Sequence, residues 1–157
     1  MAASGVSAGG TLAMNLAYGG NSAIPVRFVF ELAAPTYFVA EDWGSLMKSD
    51  NLGSEEEFYR MMTGKELSAQ EYRQEIKKIS PTCLVGEDSV PTLIGYGLKD
   101  HCVPADQKEY LIDALEKNGV SYDYVEFPHS NHLLYGDLDK MQTFMDLSLE
   151  YCEKYFQ

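Results

Sequence analysis

Six residues near the N-terminus constrain this chain more than any others: Gly5-Val6-Ser7-Ala8-Gly9-Gly10. They have the form G-x-S-x-G, in which a serine is lifted onto a tight turn between a strand and a helix. Glycines two residues before and two after the serine let strand and helix approach without Cβ clashes. The pattern therefore predicts an exposed Ser7 hydroxyl on a strained backbone, the geometry a nucleophile needs.

The remaining elements follow from periodicity and punctuation. Gly9 to Tyr18 is small and apolar, which suits a helix packed on a sheet, and Gly19-Gly20 ends it. Val26 to Phe30, between Pro25 and Pro35, reads as a buried strand. From Glu41 to Ser80 the chain turns polar, and Ser54-x-x-Glu57 and Ser68-x-x-Glu71 are capping boxes that each open a short helix, with Gly64 between them and Pro81 closing the second. Residues 41–80 are thus expected to form a small cap or lid insertion. Thr92 to Tyr96 resumes the strand pattern, Pro104 marks a helix start, Asn118-Gly119 stops that helix, and Tyr122 to Phe127 is the last strand. A final helix carries Met141, Phe144, Met145, Leu149, Cys152 and Phe156 at helical spacing, so one face is expected to dock on a core. Strands alternating with helices imply an α/β fold with a mostly parallel sheet of about four strands. At 157 residues the chain suits a single domain, 1–157.

Charge and cysteine content exclude several functions. Lys and Arg number 12 against 24 Asp and Glu, a formal charge of −12, so no basic stripe exists for a nucleic-acid backbone. Cys83, Cys102 and Cys152 are odd in number and widely spaced, which indicates neither a disulfide framework nor a zinc site and fits reduced thiols in the cytoplasm. No apolar stretch reaches the roughly 20 residues of a membrane span. Glu41-Asp42 and Glu55-Glu56-Glu57 read as solvated acids near helix starts rather than metal ligands. Neither metal nor organic cofactor is expected. Trp43, Phe58, Tyr59, Met61 and Met62 either line an acyl or alcohol pocket or form the cap's own core.

A serine hydroxyl becomes a nucleophile only when an imidazole takes its proton and a carboxylate orients the imidazole. Gly97-Leu98-Lys99-Asp100-His101-Cys102-Val103-Pro104 follows one apolar run and Phe127-Pro128-His129-Ser130-Asn131-His132 follows another. Both fall at the carboxyl ends of predicted parallel strands, where α/β sheets place ligands. Asp100 competes with Asp106 as the acid, and His132 with His129 and His101 as the base.

From Gly5 to its end the chain resembles the C-terminal half of an α/β-hydrolase of the esterase/lipase type. The likeness is carried by the Ser7 motif, by Pro91 to Gly97 leading into Asp100 and Val103-Pro104, and by the His132 loop, in the chain order serine, acid, histidine. The resemblance implies a partial α/β-hydrolase fold with Ser7 as nucleophile, Asp100 in a Gly-x-x-Asp turn as the acid, and His132 as base. It implies the Ala8 N–H as an oxyanion donor and a small-molecule carboxylic ester as substrate. In that family a second donor comes from a Gly-rich loop upstream of the nucleophile, and none precedes Ser7. The chain is accordingly expected to be part of a larger hydrolase, associating with the N-terminal half or with itself. Two other readings stand beside this one: a prolyl-oligopeptidase-type serine peptidase, whose catalytic half has similar motifs, and a non-catalytic assembly module that retains them.

Overall fold

The apolar runs become the four strands of a single sheet, and every strand is parallel to its neighbour. A computed structural model describes residues 1–20, 22–39, 54–104 and 106–157. The strands β1 (Ala2–Val6), β2 (Phe28–Leu32), β3 (Thr92–Gly97) and β4 (Tyr122–Phe127) lie side by side in chain order. Among the described residues the helices are α1 (Ala8–Tyr18), α2 (Glu55–Thr63), α3 (Ala69–Glu75), the short α4 (Pro81–Leu84), α5 (Gln107–Lys117) and α6 (Leu138–Tyr155). Ile76–Ile79 forms a single 3₁₀ turn after α3.

Helices cover both faces, which is why β3 is buried at all six positions. Successive strand residues face opposite ways: Val29 and Ile94 join Met14, Leu111 and Leu115 on the α1 and α5 side. Phe28, Leu93 and Phe127 join Phe144 and Tyr151 of α6 on the other. Each fully buried Leu, Ile or Phe contributes about 1.5–3 kcal/mol, so these two layers hold the sheet at the angle from which its loops project.

Several boundaries differ from the sequence expectation. Strand β2 begins at Phe28 and runs on through Glu31 and Leu32, because Leu32 pairs with Val6 and Gly95 across the sheet. Helix α5 starts at Gln107 rather than Pro104, whose carbonyl accepts the Gln107 N–H at 3.1 Å. Pro81 opens α4 at its first position, where the missing N–H costs nothing. In α6 the docked stripe is Phe144, Ser148 and Tyr151 with Met141 and Cys152 beside it, whereas Met145, Leu149 and Phe156 are exposed. Met145 and Leu149 sit one residue step around the helix from Phe144 and Ser148, while Phe156, just past the helix, places its ring centroid 4.9 Å from that of Phe28.

Both capping boxes form as the sequence predicts: Ser54 and Glu57 bond reciprocally, and so do Ser68 and Glu71. Glu57 is thereby spent as a cap. Phe58, Tyr72 and Ile76 form a small core of their own, against which Tyr59 and Met62 pack, while Met61 is largely exposed. Of the two readings for these aromatics, the cap-core one describes Phe58, Tyr59 and Met62. Glu41, Asp42 and Trp43 lie outside the described residues.

Candidate active site

Three loops at the carboxyl ends of β1, β3 and β4 meet at one point. Ser7 sits between β1 and α1 with φ 53° and ψ −130°, a left-handed backbone for a residue with a side chain. Such a conformation costs of order 1–3 kcal/mol and persists only where its surroundings enforce it. Here the Ser7 N–H donates to Leu32 O at 2.8 Å, extending the sheet, while its carbonyl accepts the Gly10 and Thr11 N–H groups that start α1. A Cβ on Gly5 would stand 2.2 Å from the Gly9 carbonyl, and one on Gly10 would stand 2.7 Å from the Ala34 Cβ. The close crossing therefore requires Gly5 and Gly10, whereas a Cβ on Gly9, the residue two after the serine, would meet nothing within 4 Å, contrary to the sequence expectation.

Asp100 follows β3 in a turn closed by its own N–H bonding to Gly97 O at 3.2 Å. Its side chain is 1% exposed, and Oδ1 accepts the N–H groups of Cys102 at 2.8 Å and Val103 at 3.0 Å. The carboxylate is therefore fixed by backbone donors and presents Oδ2 to one partner. That partner is His132, whose Nδ1 lies 2.7 Å away, and His132 Nε2 lies 3.0 Å from Ser7 Oγ. The ring is 18% exposed, sheltered enough to hold its orientation and open enough to meet a substrate.

Ser7, Asp100 and His132 are thus brought together in one hydrogen-bonded chain, and the competitors are elsewhere. Asp106 stands at the start of α5 and makes no side-chain cap. His129 is bonded to a different carboxylate, with its side chain 72% exposed and Nδ1 2.7 Å from Asp137 Oδ1. His101 is exposed. Ala8 is the first residue of α1, so its N–H has no carbonyl within the helix to bond. It lies at the positive end of the helix dipole, beside Ser7.

Asp100, Cys102 and His132 offer ligand atoms within 4.8 Å of one another, but both Asp100 oxygens are already engaged by Cys102 N, Val103 N and His132. The three cysteines are unpaired, with Cys83 and Cys102 exposed.

Two residues around the site escaped the sequence reading. Glu31, in the middle of β2, is fully buried and accepts the Ala34 N–H at 2.9 Å. Burial pushes its pKa well above the usual carboxylate value, against the opposing effect of that hydrogen bond. Gln107, also fully buried, takes the N–H groups of Thr36 and Tyr37 at 2.8 and 2.7 Å, so α5 grips the segment leaving β2. A Glu inside a strand pattern and a Gln at a helix start carry no signal of their own in a sequence; only the long-range pairing reveals them.

No described helix is long and apolar enough to cross a membrane. A search of curated protein sequences finds no match. Among solved structures, a truncated carbohydrate esterase from gut microbiota superposes with a TM-score of 0.74 at 19% identity, covering 98% of this chain and 59% of that one. A thermophilic esterase of Thermogutta terrifontis, with propionate bound, gives 0.68 at 21% identity, with 98% and 55% covered. The acylaminoacyl peptidase of Pyrococcus horikoshii gives 0.68 at 17% identity, with 98% of this chain but 23% of that one covered. These likenesses show the α/β-hydrolase fold, of which the chain spans little more than half the length of the two esterases. The family model described as the prolyl oligopeptidase family matches residues 1–157, from end to end of the chain, and by that match the chain belongs to the prolyl oligopeptidase family.

Proposed function

We propose that the chain carries the catalytic triad of a serine hydrolase acting on carboxylic esters. The observation that carries the reading is the unbroken line from Ser7 Oγ through the His132 ring, 3.0 Å and 2.7 Å, to a buried Asp100. In this reading His132 Nε2 takes the Ser7 proton as the hydroxyl attacks the acyl carbon, and returns it to the leaving alcohol. Asp100 holds the Nδ1–H tautomer and stabilises the imidazolium. The Ala8 N–H faces the developing oxyanion, a role worth about 2.7–4 kcal/mol per donor. Water then repeats the cycle on the acyl-enzyme with no cofactor.

Esters rather than peptides are proposed because esterases figure among the structural neighbours that the chain covers to about half their length. The chain is read as the C-terminal part of the full enzyme, with the second oxyanion donor supplied by the complementary part. The unpaired thiols support a cytoplasmic setting.

Fluorophosphonate labelling tests the nucleophile, and a panel of short acyl esters against aminoacyl amides tests the substrate class. Labelling at Ser7 and faster turnover of esters are expected. An unlabelled Ser7 would favour a non-catalytic module, and preference for the amides would refute the ester assignment.

A further inference from the structure

His132 hangs in the middle of a ten-residue connection, 128–137, between β4 and α6, yet a catalytic group has to be held to within about 0.5 Å of its productive position. The connection is closed on itself by a second buried carboxylate. Asp137 directly precedes α6, the position from which an aspartate ordinarily caps the helix through its side chain. It makes no such bond, and its backbone is at φ −137° and ψ 75°. Its carboxylate turns back into the loop instead. Oδ2 accepts the His129 N–H at 2.9 Å and the Ser130 hydroxyl at 2.6 Å, and Oδ1 lies 2.7 Å from His129 Nδ1. Ser130 Oγ in turn accepts the Gly136 N–H at 3.0 Å.

The tie joins the two ends of the segment that carries His132. Within it the Leu134 N–H bonds Asn131 O at 3.1 Å, and Leu134 is held at φ 60°, a left-handed backbone unusual for a bulky side chain, with that side chain buried in the core. The tie also reaches the acid's loop, because Ser130 O accepts the Lys99 N–H at 2.9 Å and a Cβ on Gly97 would stand 2.5 Å from that oxygen. Asp137 is 5% exposed, and burial alone would raise its pKa. The hydrogen bonds from Ser130 and His129 outweigh it and leave the pKa lowered, so the carboxylate is ionised and accepts all three.

We infer that Asp137 is a positioning residue for the reaction, a carboxylate that touches no substrate but closes the 129–137 loop so that His132 meets Ser7 and Asp100 together. The inference rests on the triad reading above. A capping bond, worth about 0.5–2 kcal/mol to a helix, is forgone at this position in favour of the loop. An error of about 1 Å in a catalytic group can cost on the order of 10²-fold in rate.

The test uses the full chain and three variants. In Asp137→Asn one acceptor oxygen becomes an amide donor facing the loop; Ser130→Ala removes the bond to Oδ2 and the acceptor of the Gly136 N–H; His129→Asn removes the ring contact to Oδ1 and keeps the backbone bond. The rate of fluorophosphonate labelling of Ser7 is expected to fall on the order of 10²-fold in Asp137→Asn. The fall should be smaller in Ser130→Ala and least in His129→Asn. Where turnover is measurable, kcat should fall with KM unchanged. The downfield proton resonance of the His132 Nδ1–H···Asp100 bond should broaden or vanish in Asp137→Asn while far-UV circular dichroism is retained, a change that a merely stabilising residue would not cause. Wild-type labelling rates and an intact resonance in a folded Asp137→Asn would overturn the inference; if that variant does not fold, wild-type rates in Ser130→Ala would. A wild-type chain that is not labelled at all speaks against the triad reading, and the resonance then decides the positioning role alone.

Discussion

Ser7, Asp100 and His132 each depend on a neighbour that has no chemistry of its own. The serine needs Gly5 and Gly10 for its turn, the aspartate needs two backbone N–H groups, and the imidazole needs its loop tied. If the three act as a unit, single substitutions should not add. Ser7→Ala and His132→Ala are each expected to abolish nearly all esterase turnover, with the double variant hardly worse. Asp100→Asn should retain the fold but lose roughly 10⁴-fold in kcat, because an amide can present its N–H to Nδ1 and select the wrong tautomer. Initial-rate kinetics on a short acyl ester check all four, and additive losses in the double variant would show that Ser7 and His132 act separately. These three residues were legible in the sequence because each stands in a short motif whose glycine or proline punctuation reports the turn. Asp137 was not, since an aspartate before a helix reads as a cap, and only its side-chain direction distinguishes a cap from a loop tie.

Strands and helices were legible wherever burial and period agree, as in β3, β4 and the two capping boxes. Legibility failed where tertiary pairing overrides local pattern. Strand β2 carries Glu31, which a sequence reading places outside a buried strand, yet it pairs with Gly5 and Ile94 in the sheet interior. Its Oε1 has no hydrogen-bond partner among the described residues. Because burial raises the folded-state pKa, the folded protein holds this proton more tightly than the unfolded chain. The stabilising contribution is complete below the unfolded carboxylate value of about 4.3 and is lost as pH rises through the raised folded value. Glu31→Gln keeps the shape and an acceptor for the Ala34 N–H with no charge to bury. Its stability relative to the wild type should therefore climb as pH rises above about 4.3, by at most about 1.4 kcal/mol per pH unit. Urea unfolding of both proteins between pH 4 and pH 8 checks this; parallel curves would mean that folding does not raise the Glu31 pKa.

At the scale of the whole molecule, the sheet's outermost strand on the Ser7 side is β1, five residues with neither charge nor proline to discourage pairing. Beside the sheet, Leu138, Met145, Leu149 and Phe156 of the α6 region are 74%, 52%, 61% and 52% exposed. Among the described residues β1 pairs on one side only, and such an edge together with an apolar stripe favours association. Opposing it is the net charge of −12, a repulsion between copies that salt screens, since the Debye length falls from about 10 Å at 0.1 M to about 3 Å at 1 M. The chain alone is therefore expected to form a dimer or higher oligomer through β1 or α6, more tightly at high salt. Leu149→Glu should weaken it by placing a charge in the stripe if α6 forms the contact. If the same surface is where the complementary part of a larger hydrolase docks, adding that part should dissolve the self-association and raise esterase turnover by about a hundredfold, the worth of one oxyanion donor. Light scattering at about 100 μM, generous for μM affinities, checks the first step. A clean monomer there, at low and high salt alike, would remove the argument that these exposed surfaces are docking surfaces.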